Sequence, residues 1–130
     1  DDSIVRGTTS IKIVRMMRDA GATEVHMRIA SPPIKFPDYY GIDTPVKEQL
    51  LAANNSLEGM SDFIGVDSLA FLTVDGLYKA MGHNDGRDPN DPFFTDHCFT
   101  GDYPTRLRDL TREDGVRQPS LLSELRKEPA

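Results

Sequence analysis

The sequence predicts an α/β protein with a parallel sheet, and its first thirty residues carry most of this prediction. Residues 10–20 place apolar side chains at helical spacing, and residues 25–29 then alternate apolar and polar side chains as a strand does. A second apolar run at 69–74 reads as another buried strand. Loop, helix and strand in this order form the second half of a strand–helix–strand unit, whose two strands are parallel. The first strand of that unit would lie before Asp1.

The first helix has clear boundary signals. Thr9 or Ser10 is expected to cap its N-terminus, because their hydroxyl oxygens can accept from free backbone N–H groups. Gly21 suits the left-handed residue that commonly ends a helix. The helix is therefore expected to run from about Ser10 to Ala20.

The later elements are predicted in the same way. After a proline-rich connection, Thr44 and Pro45 suit the N-cap and first residue of a second helix. A short helix is expected at about 57–64, and Asp75 is expected to cap a helix at 76–81. Further along, residues 83–92 predict an exposed loop, and residues 104–130 a charged, partly disordered tail.

Composition excludes several classes of protein. A length of 130 residues, 38% of them hydrophobic and 28% charged, suits one globular domain. Fifteen basic against twenty-one acidic residues give a net charge of -6, which argues against nucleic acid as a partner. No apolar run approaches the roughly 20 residues of a membrane helix, so no membrane association is expected. The single cysteine, Cys98, predicts a reducing, cytoplasmic location.

The first ten residues carry the most chemical information. Two carboxylates, Asp1 and Asp2, stand at a predicted strand end, and Gly7 and three hydroxyl residues then lead into a helix. A helix N-terminus offers free N–H groups and a partial positive charge, which suit a phosphate, and Arg6 can add a full charge. Carboxylates can accept from sugar hydroxyls or bind Mg²⁺. The pattern therefore favours a phosphorylated sugar, although solvated acids followed by an ordinary helix cap would look the same.

A resemblance supports this interpretation. The first ten residues resemble the phosphoribosyl pyrophosphate (PRPP) loop of type I phosphoribosyltransferases and, more narrowly, that of the amidophosphoribosyltransferase family. Three later stretches are similar to the same family and follow in the expected order: Ser31-Pro32-Pro33, Tyr40-Gly41-Ile42-Asp43 and Cys98-Phe99-Thr100-Gly101-Asp102-Tyr103-Pro104. The resemblance implies a type I phosphoribosyltransferase fold, present here as its C-terminal portion in residues 1–103.

The resemblance also implies roles for individual residues. Asp1 and Asp2 would accept the ribose hydroxyls of PRPP and help to hold Mg²⁺, and the turn from Val5 to Thr9 would surround the 5-phosphate. Base-using relatives carry an acidic residue where this sequence has Val5, and an apolar side chain there suits ammonia as the acceptor. The full set expected to bind PRPP is Asp1, Asp2, Ser3, Val5, Arg6, Gly7, Thr8, Thr9 and Ser10.

The implied reaction is the displacement of pyrophosphate from PRPP by ammonia, which gives 5-phosphoribosylamine in the first step of purine synthesis. The ammonia would come from glutamine, through an upstream domain absent from this chain, and the parent protein is expected to be a homo-oligomer. The fragment alone is expected to be inactive. Some relatives hold an iron–sulfur cluster with four cysteines, but Asp38 and Thr95 stand where two of these would lie. With only Cys98 remaining, no cluster is expected.

Two other functions remain open from the sequence. A non-catalytic PRPP sensor would bind the same sugar phosphate, and a receiver-like module would use the acidic pair for a metal and a phosphoryl group. His97 and Cys98 suggest a base and a nucleophile, but neighbours in the strand expected there would point to opposite faces. His26 and Arg28 are expected to share the polar face of the first strand.

Overall fold

The computed structural model describes residues 1–107, so most of the predicted charged tail lies outside the described residues. Within this range the chain forms five α-helices and two β-strands, and a 3₁₀ turn at Lys47–Gln49 precedes the second helix. In chain order the elements are α1 (Thr8–Asp19), β1 (His26–Ile29), α2 (Leu51–Asn54), α3 (Leu57–Ile64), β2 (Ser68–Phe71), α4 (Val74–Ala80) and α5 (His97–Thr100).

The two strands form a parallel pair, which confirms the predicted α/β class. His26 lies opposite Ser68, and Ile29 lies opposite Phe71. The backbone of Asp1 is bonded to the other side of β1: its nitrogen donates to the Arg28 carbonyl at 3.0 Å, and its carbonyl accepts from the Ala30 N–H at 3.0 Å. One residue that bonds through its N–H and its carbonyl to two residues two positions apart is the hydrogen-bond pattern of parallel strands. It fixes the first residues beside the carboxyl end of β1.

The core lies between the strand pair and the helices α1, α2 and α3. Met27 and Ile29 of β1 are buried, whereas His26 and Arg28 are exposed on the opposite face, as the alternating sequence predicts. Both exposed side chains contact the hydroxyl of Ser68 across the strand pair. The core residues are Ile4, Val14, Met27, Ile29, Leu51, Ala52, Met60, Ile64, Val66 and Leu69.

The predicted N-cap of α1, Thr9 or Ser10, is wrong, although the helix itself is confirmed. Thr9 and Ser10 already lie within the first turn, and the N-cap is Gly7, whose φ is 79°. A left-handed N-cap is accessible to glycine because it has no Cβ. Glycine also has no side-chain oxygen, so this helix end has no side-chain cap. The predicted left-handed conformation of Gly21 is confirmed, with a φ of 98°.

The predicted helix starts at Thr44 and Asp75 are also wrong. The Thr44 hydroxyl accepts from the Asp38 N–H at 2.6 Å and closes a loop, and helical structure begins only at the 3₁₀ turn. The cap of α4 is Thr73, whose hydroxyl accepts from Gly76 N–H at 2.9 Å. Asp75 instead accepts from the Arg87 N–H at 3.0 Å.

Two further elements differ from the expectation. The strand predicted at 69–74 ends at Phe71, because Val74 already belongs to the first turn of α4. His97 and Cys98 lie in the short helix α5 and not in a strand. The helix at 57–64 is confirmed, with Ser56 as its N-cap. In the described part of the chain, every helix is too short or too polar to cross a membrane.

Candidate functional site

The first ten residues line a cavity of about 260 Å³. It lies between the carboxyl end of β1, beside which Asp1 is bonded, and the N-terminus of α1, which the chain enters a few residues after Asp1. The carboxyl edge of a parallel sheet is the usual place for a ligand in this class of fold. All nine residues that the sequence predicts for PRPP binding line this cavity. Ile4, which was not predicted, also lines it but is buried in the core.

The two leading carboxylates lie at one end of the cavity with exposed side chains. Oδ1 of Asp1 accepts from the Asp2 N–H at 2.9 Å, and Oδ1 of Asp2 accepts from the Ser3 N–H at 2.7 Å. These local bonds orient both side chains. Among residues 1–107, Oδ2 of each carboxylate has no hydrogen-bond partner, so each can accept from a hydroxyl or bind a hard cation.

The N-terminus of α1 forms the other end of the cavity. The first intrahelical bond joins the Ile11 N–H to the Gly7 carbonyl at 3.0 Å, so the N–H groups of Thr8, Thr9 and Ser10 precede the bonded part of the helix. The first turn contains neither a side-chain cap nor an acidic residue. Thr8 and Thr9 are exposed, whereas Ser10 is buried. This end therefore offers N–H donors, two accessible hydroxyls and the positive end of the helix dipole.

Gly7 is required at the turn for two separate reasons. Its φ of 79° is left-handed, and a Cβ at this position would lie 2.8 Å from Cδ2 of Leu51 and 3.2 Å from Cε1 of Phe63. The first contact is closer than carbon atoms approach in proteins. The Leu51 N–H also donates to the Val5 carbonyl at 2.8 Å. The beginning of α2 and a side chain of α3 therefore support the loop from behind.

Arg6 is held by a residue that the sequence analysis did not identify. Its Nε and Nη2 groups both donate to Oε1 of Gln49, at 3.1 and 3.0 Å. Gln49 ends the 3₁₀ turn and is separated from Arg6 by 43 positions. No motif around Gln49 in the sequence indicates this contact, because the contact depends on where the fold places the 3₁₀ turn.

A second polar cluster lies away from the cavity and is buried. Nε2 of His97 lies 2.6 Å from Oδ1 of Asp38, and Oδ2 of Asp38 accepts from the N–H groups of Tyr40 and Ile42, both at 2.8 Å. Burial acts to raise the pKa of Asp38, but the two N–H donors and His97 outweigh it, so the pKa of Asp38 is lowered. The ring of Tyr103 packs against the ring of His97, and the two ring centroids are 5.1 Å apart.

Cys98 lies beside this cluster and is half-buried. Burial and the negative charge of Asp38 raise the pKa of its thiol, which keeps it protonated. One ligand atom each of Asp38, His97 and Cys98 lies within 4.8 Å of the others. This donor set does not fit a four-cysteine iron–sulfur cluster, because the chain supplies a single thiol.

A third cluster joins the exposed loop at 83–92 to α5. Arg87 donates through Nε and Nη2 to the carboxylate of Asp96 and through Nη2 to Asp102 at 2.6 Å. The Tyr78 hydroxyl donates to the same Asp96 carboxylate at 2.8 Å. Burial acts to raise the pKa of Asp96, but Arg87, Tyr78 and Thr100 outweigh it and the pKa is lowered. These bonds satisfy the cluster internally and indicate a structural role.

Comparison with known proteins gives one consistent result. The chain is 60% identical over 124 residues to the amidophosphoribosyltransferase of Rhizobium etli, and 52% identical over 121 residues to that of Bacillus subtilis. These alignments cover 95% and 93% of the chain. The chain is homologous to one quarter of an amidophosphoribosyltransferase. An Arabidopsis thaliana relative, amidophosphoribosyltransferase 1, chloroplastic, is 58% identical over 88% of the chain. No family model matches the chain.

Two solved structures support the same relation. Glutamine PRPP amidotransferase from Bacillus subtilis, complexed with ADP and GMP, matches 96% of the chain with a TM-score of 0.71 and 46% sequence identity. A structure described as the allosteric regulatory enzyme of purine biosynthesis matches with a TM-score of 0.70. The chain spans 25% of the length of the Rhizobium and Bacillus relatives and 19% of the Arabidopsis one.

Proposed function

We propose that the protein containing this chain is an amidophosphoribosyltransferase and that residues 1–10 bind the ribose 5-phosphate part of PRPP. The observation that carries the proposal is the cavity itself, with accepting carboxylates at one end and N–H donors at the other. The two ends match the hydroxyls and the phosphate of the ligand, respectively. The names of the relatives favour catalysis over the PRPP-sensing alternative.

Each end of the cavity has a proposed ligand group. The free Oδ2 atoms of Asp1 and Asp2 accept from the two ribose hydroxyls. The backbone N–H groups at the start of α1, the Thr8 and Thr9 hydroxyls and the Arg6 guanidinium donate to the 5-phosphate. Ser3 and Val5 line the wall between the two ends. Ser10 contributes its backbone N–H, because its side chain is buried.

Mg²⁺ is the proposed cofactor, and the donor set fits it. Asp1 and Asp2 each offer a free carboxylate oxygen, and Mg²⁺ prefers one or two carboxylates together with phosphate oxygens and water. The ion would neutralise charge on the pyrophosphate group.

The proposed reaction is a substitution at the anomeric carbon. The carbon–oxygen bond to pyrophosphate breaks, the carbon–nitrogen bond to ammonia forms, and ammonia loses one proton to solvent. Oxocarbenium character develops on the sugar, so fixing the ribose hydroxyls and the 5-phosphate supports catalysis by positioning. Val5 has no group that can accept a proton, and ammonia can lose its proton to water.

Other parts of the proposal concern the whole protein. Ammonia is supplied from glutamine by a domain outside this chain, and the whole protein is a homo-oligomer. The division into a transferase part at 1–103 and a tail at 104–130 remains a prediction, as does a cytoplasmic location. The 130-residue chain alone is expected to be inactive.

The direct test is the release of pyrophosphate from Mg-PRPP by the whole protein. With ammonium chloride or glutamine as the nitrogen donor, release is expected to depend on PRPP and on Mg²⁺. The same protein with both Asp1→Asn and Asp2→Asn should lose most of this activity. Asp19→Asn is the matched control, because Asp19 lies at the far end of α1, about 17 Å along the helix. Lack of pyrophosphate release with either donor would contradict the proposal.

A further inference from the structure

The contact between Arg6 and Gln49 is specific in its geometry. A guanidinium has five N–H donors in a planar fork, and Gln49 Oε1 accepts from the edge formed by Nε and Nη2. The two N–H groups of Nη1 and the second N–H of Nη2 remain for another acceptor. The free edge, formed by Nη1 and Nη2, can donate two parallel bonds to a phosphate.

The turn that carries Gln49 is itself fixed to the rest of the chain. The Asn54 side-chain amide donates to the carbonyls of Lys47, Glu48 and Leu50 at 3.0, 3.1 and 2.8 Å. The Gln49 N–H donates to the Val46 carbonyl at 2.9 Å. The position of Oε1 is therefore set by a short turn whose carbonyls are already bonded.

The start of α2, which closely follows this turn, is joined to the PRPP loop at two further points. The Leu51 N–H donates to the Val5 carbonyl, and the Leu51 side chain lies against Gly7. Arg6 lies between these two anchored residues. Gln49 thus contacts the one cation of the loop from a segment whose distance to that loop is fixed.

We infer that Gln49 is a positioning residue, which holds Arg6 in the orientation that donates to the 5-phosphate of PRPP. The inference rests on the proposed function, because it assigns a role to Gln49 through Arg6. A long arginine side chain loses rotamer freedom when it binds an anion, and a partner that orders it beforehand reduces that loss on binding. A neutral amide oxygen does so without cancelling the positive charge of Arg6.

The test compares two substitutions of Gln49 in the whole protein. Gln49→Met keeps the length of the side chain but removes the acceptor, and it should raise KM for PRPP about tenfold, as expected for a lost hydrogen bond to a charged group. The kcat with ammonia should change less than about twofold, because the 5-phosphate is remote from the reacting carbon. Gln49→Glu restores an acceptor and should return KM to within about threefold of the original value.

Two controls separate positioning from a structural effect. Glu48→Met alters the neighbouring residue of the same turn, whose side chain is exposed, and should leave KM and the thermal midpoint unchanged. Gln49→Met is then combined with Arg6→Met. If Gln49 acts through Arg6, Gln49→Met should add nothing to the rise in KM that Arg6→Met already causes.

The outcomes distinguish this inference from the proposed function. If Arg6→Met raises KM for PRPP and Gln49→Met does not, the positioning role is wrong and the proposed function stands. The role is also wrong if Gln49→Met raises KM equally in the Arg6→Met background. If neither Arg6→Met nor the Asp1 and Asp2 substitutions affect PRPP binding, the proposed function itself fails.

Discussion

Two regions of this chain use polar side chains in opposite ways. In the first ten residues, the Oδ2 atoms of Asp1 and Asp2 and the N–H groups at the start of α1 line a cavity and lack partners within the described residues. In the cluster of Arg87, Asp96 and Asp102, the charged groups are bonded to one another, and the Asp96 carboxylate accepts from Arg87, Tyr78 and Thr100. Unpaired polar groups cost free energy unless water or a ligand satisfies them. The comparison indicates a binding role for the first region and a stabilising role for the second.

The largest expected effect is on stability, in the paired region. Asp96→Ala removes the main partner of the Arg87 guanidinium. Both side chains are largely buried, since that of Asp96 is 4% exposed and that of Arg87 13%. Removing one member of such a pair should lower the free energy of unfolding by about 3 kcal/mol or more. Urea denaturation, read as a shift of the midpoint at constant slope, measures it.

The same variant also tests the contrast between the regions. Calorimetry at a temperature where Asp96→Ala remains folded should give unchanged affinity for Mg-PRPP. A weaker affinity with unchanged stability would reverse the roles assigned to the two regions.

A smaller effect is expected from Gly7→Ala, which alters the binding region. The substitution places a Cβ 2.8 Å from Leu51 in a left-handed backbone, so strain and overpacking should together cost about 2–3 kcal/mol. It should also weaken Mg-PRPP binding, because the loop must move.

Gly65→Ala is the matched control for this prediction. Gly65 has a similar φ of 83°, but a Cβ there would have no neighbour within 4 Å. This control should cost about 1 kcal/mol, from backbone strain alone, and leave binding unchanged. Equal costs for the two alanine variants would show that the contact with Leu51 is unimportant.

The pH dependence of stability gives a third prediction, again in a paired region. The pKa of Asp38 is lowered in the folded protein, so the unfolded state binds its proton at a higher pH than the folded state does. The stabilisation is fully present above the unfolded value and is lost as pH falls through the folded value, below about pH 4. Asp38→Asn should therefore be less stable at pH 7 and show a flatter decline in the thermal midpoint between pH 5 and pH 3, roughly the range of free carboxyl titration. A decline identical to that of the unsubstituted protein would contradict this role of Asp38.

Local patterns in the sequence predicted the elements whose stability depends on nearby residues. The spacing of Val14 with its neighbours and the alternation of Met27 and Ile29 correctly predicted α1 and β1. The cavity-lining residues were predictable because they form one continuous segment. Helix starts were less predictable, since Thr73 and Asp75 are equally good caps and Asp75 is taken by a contact with Arg87.

Contacts between distant residues were not predictable from local pattern. Gln49 reaches Arg6 across 43 positions, and His97 reaches Asp38 across 59. His97 was expected in a strand, but α5 turns it toward the loop at 38–42, where its ring nitrogen meets the Asp38 carboxylate. Such pairs form because the fold brings distant segments of the chain together. The structural preferences of single residues do not predict them.

The central claim is that Asp1 and Asp2 accept the ribose hydroxyls of PRPP while the start of α1 binds its phosphate. Calorimetry of the whole protein with Mg-PRPP tests it most directly, with Asp1→Ala and Asp2→Ala combined and Asp19→Asn as control. The account predicts that the double variant loses at least about a hundredfold in affinity, because both charged acceptors of the ribose hydroxyls and both proposed Mg²⁺ ligands are removed, and that the control binds normally. An unchanged affinity in the double variant would contradict the account.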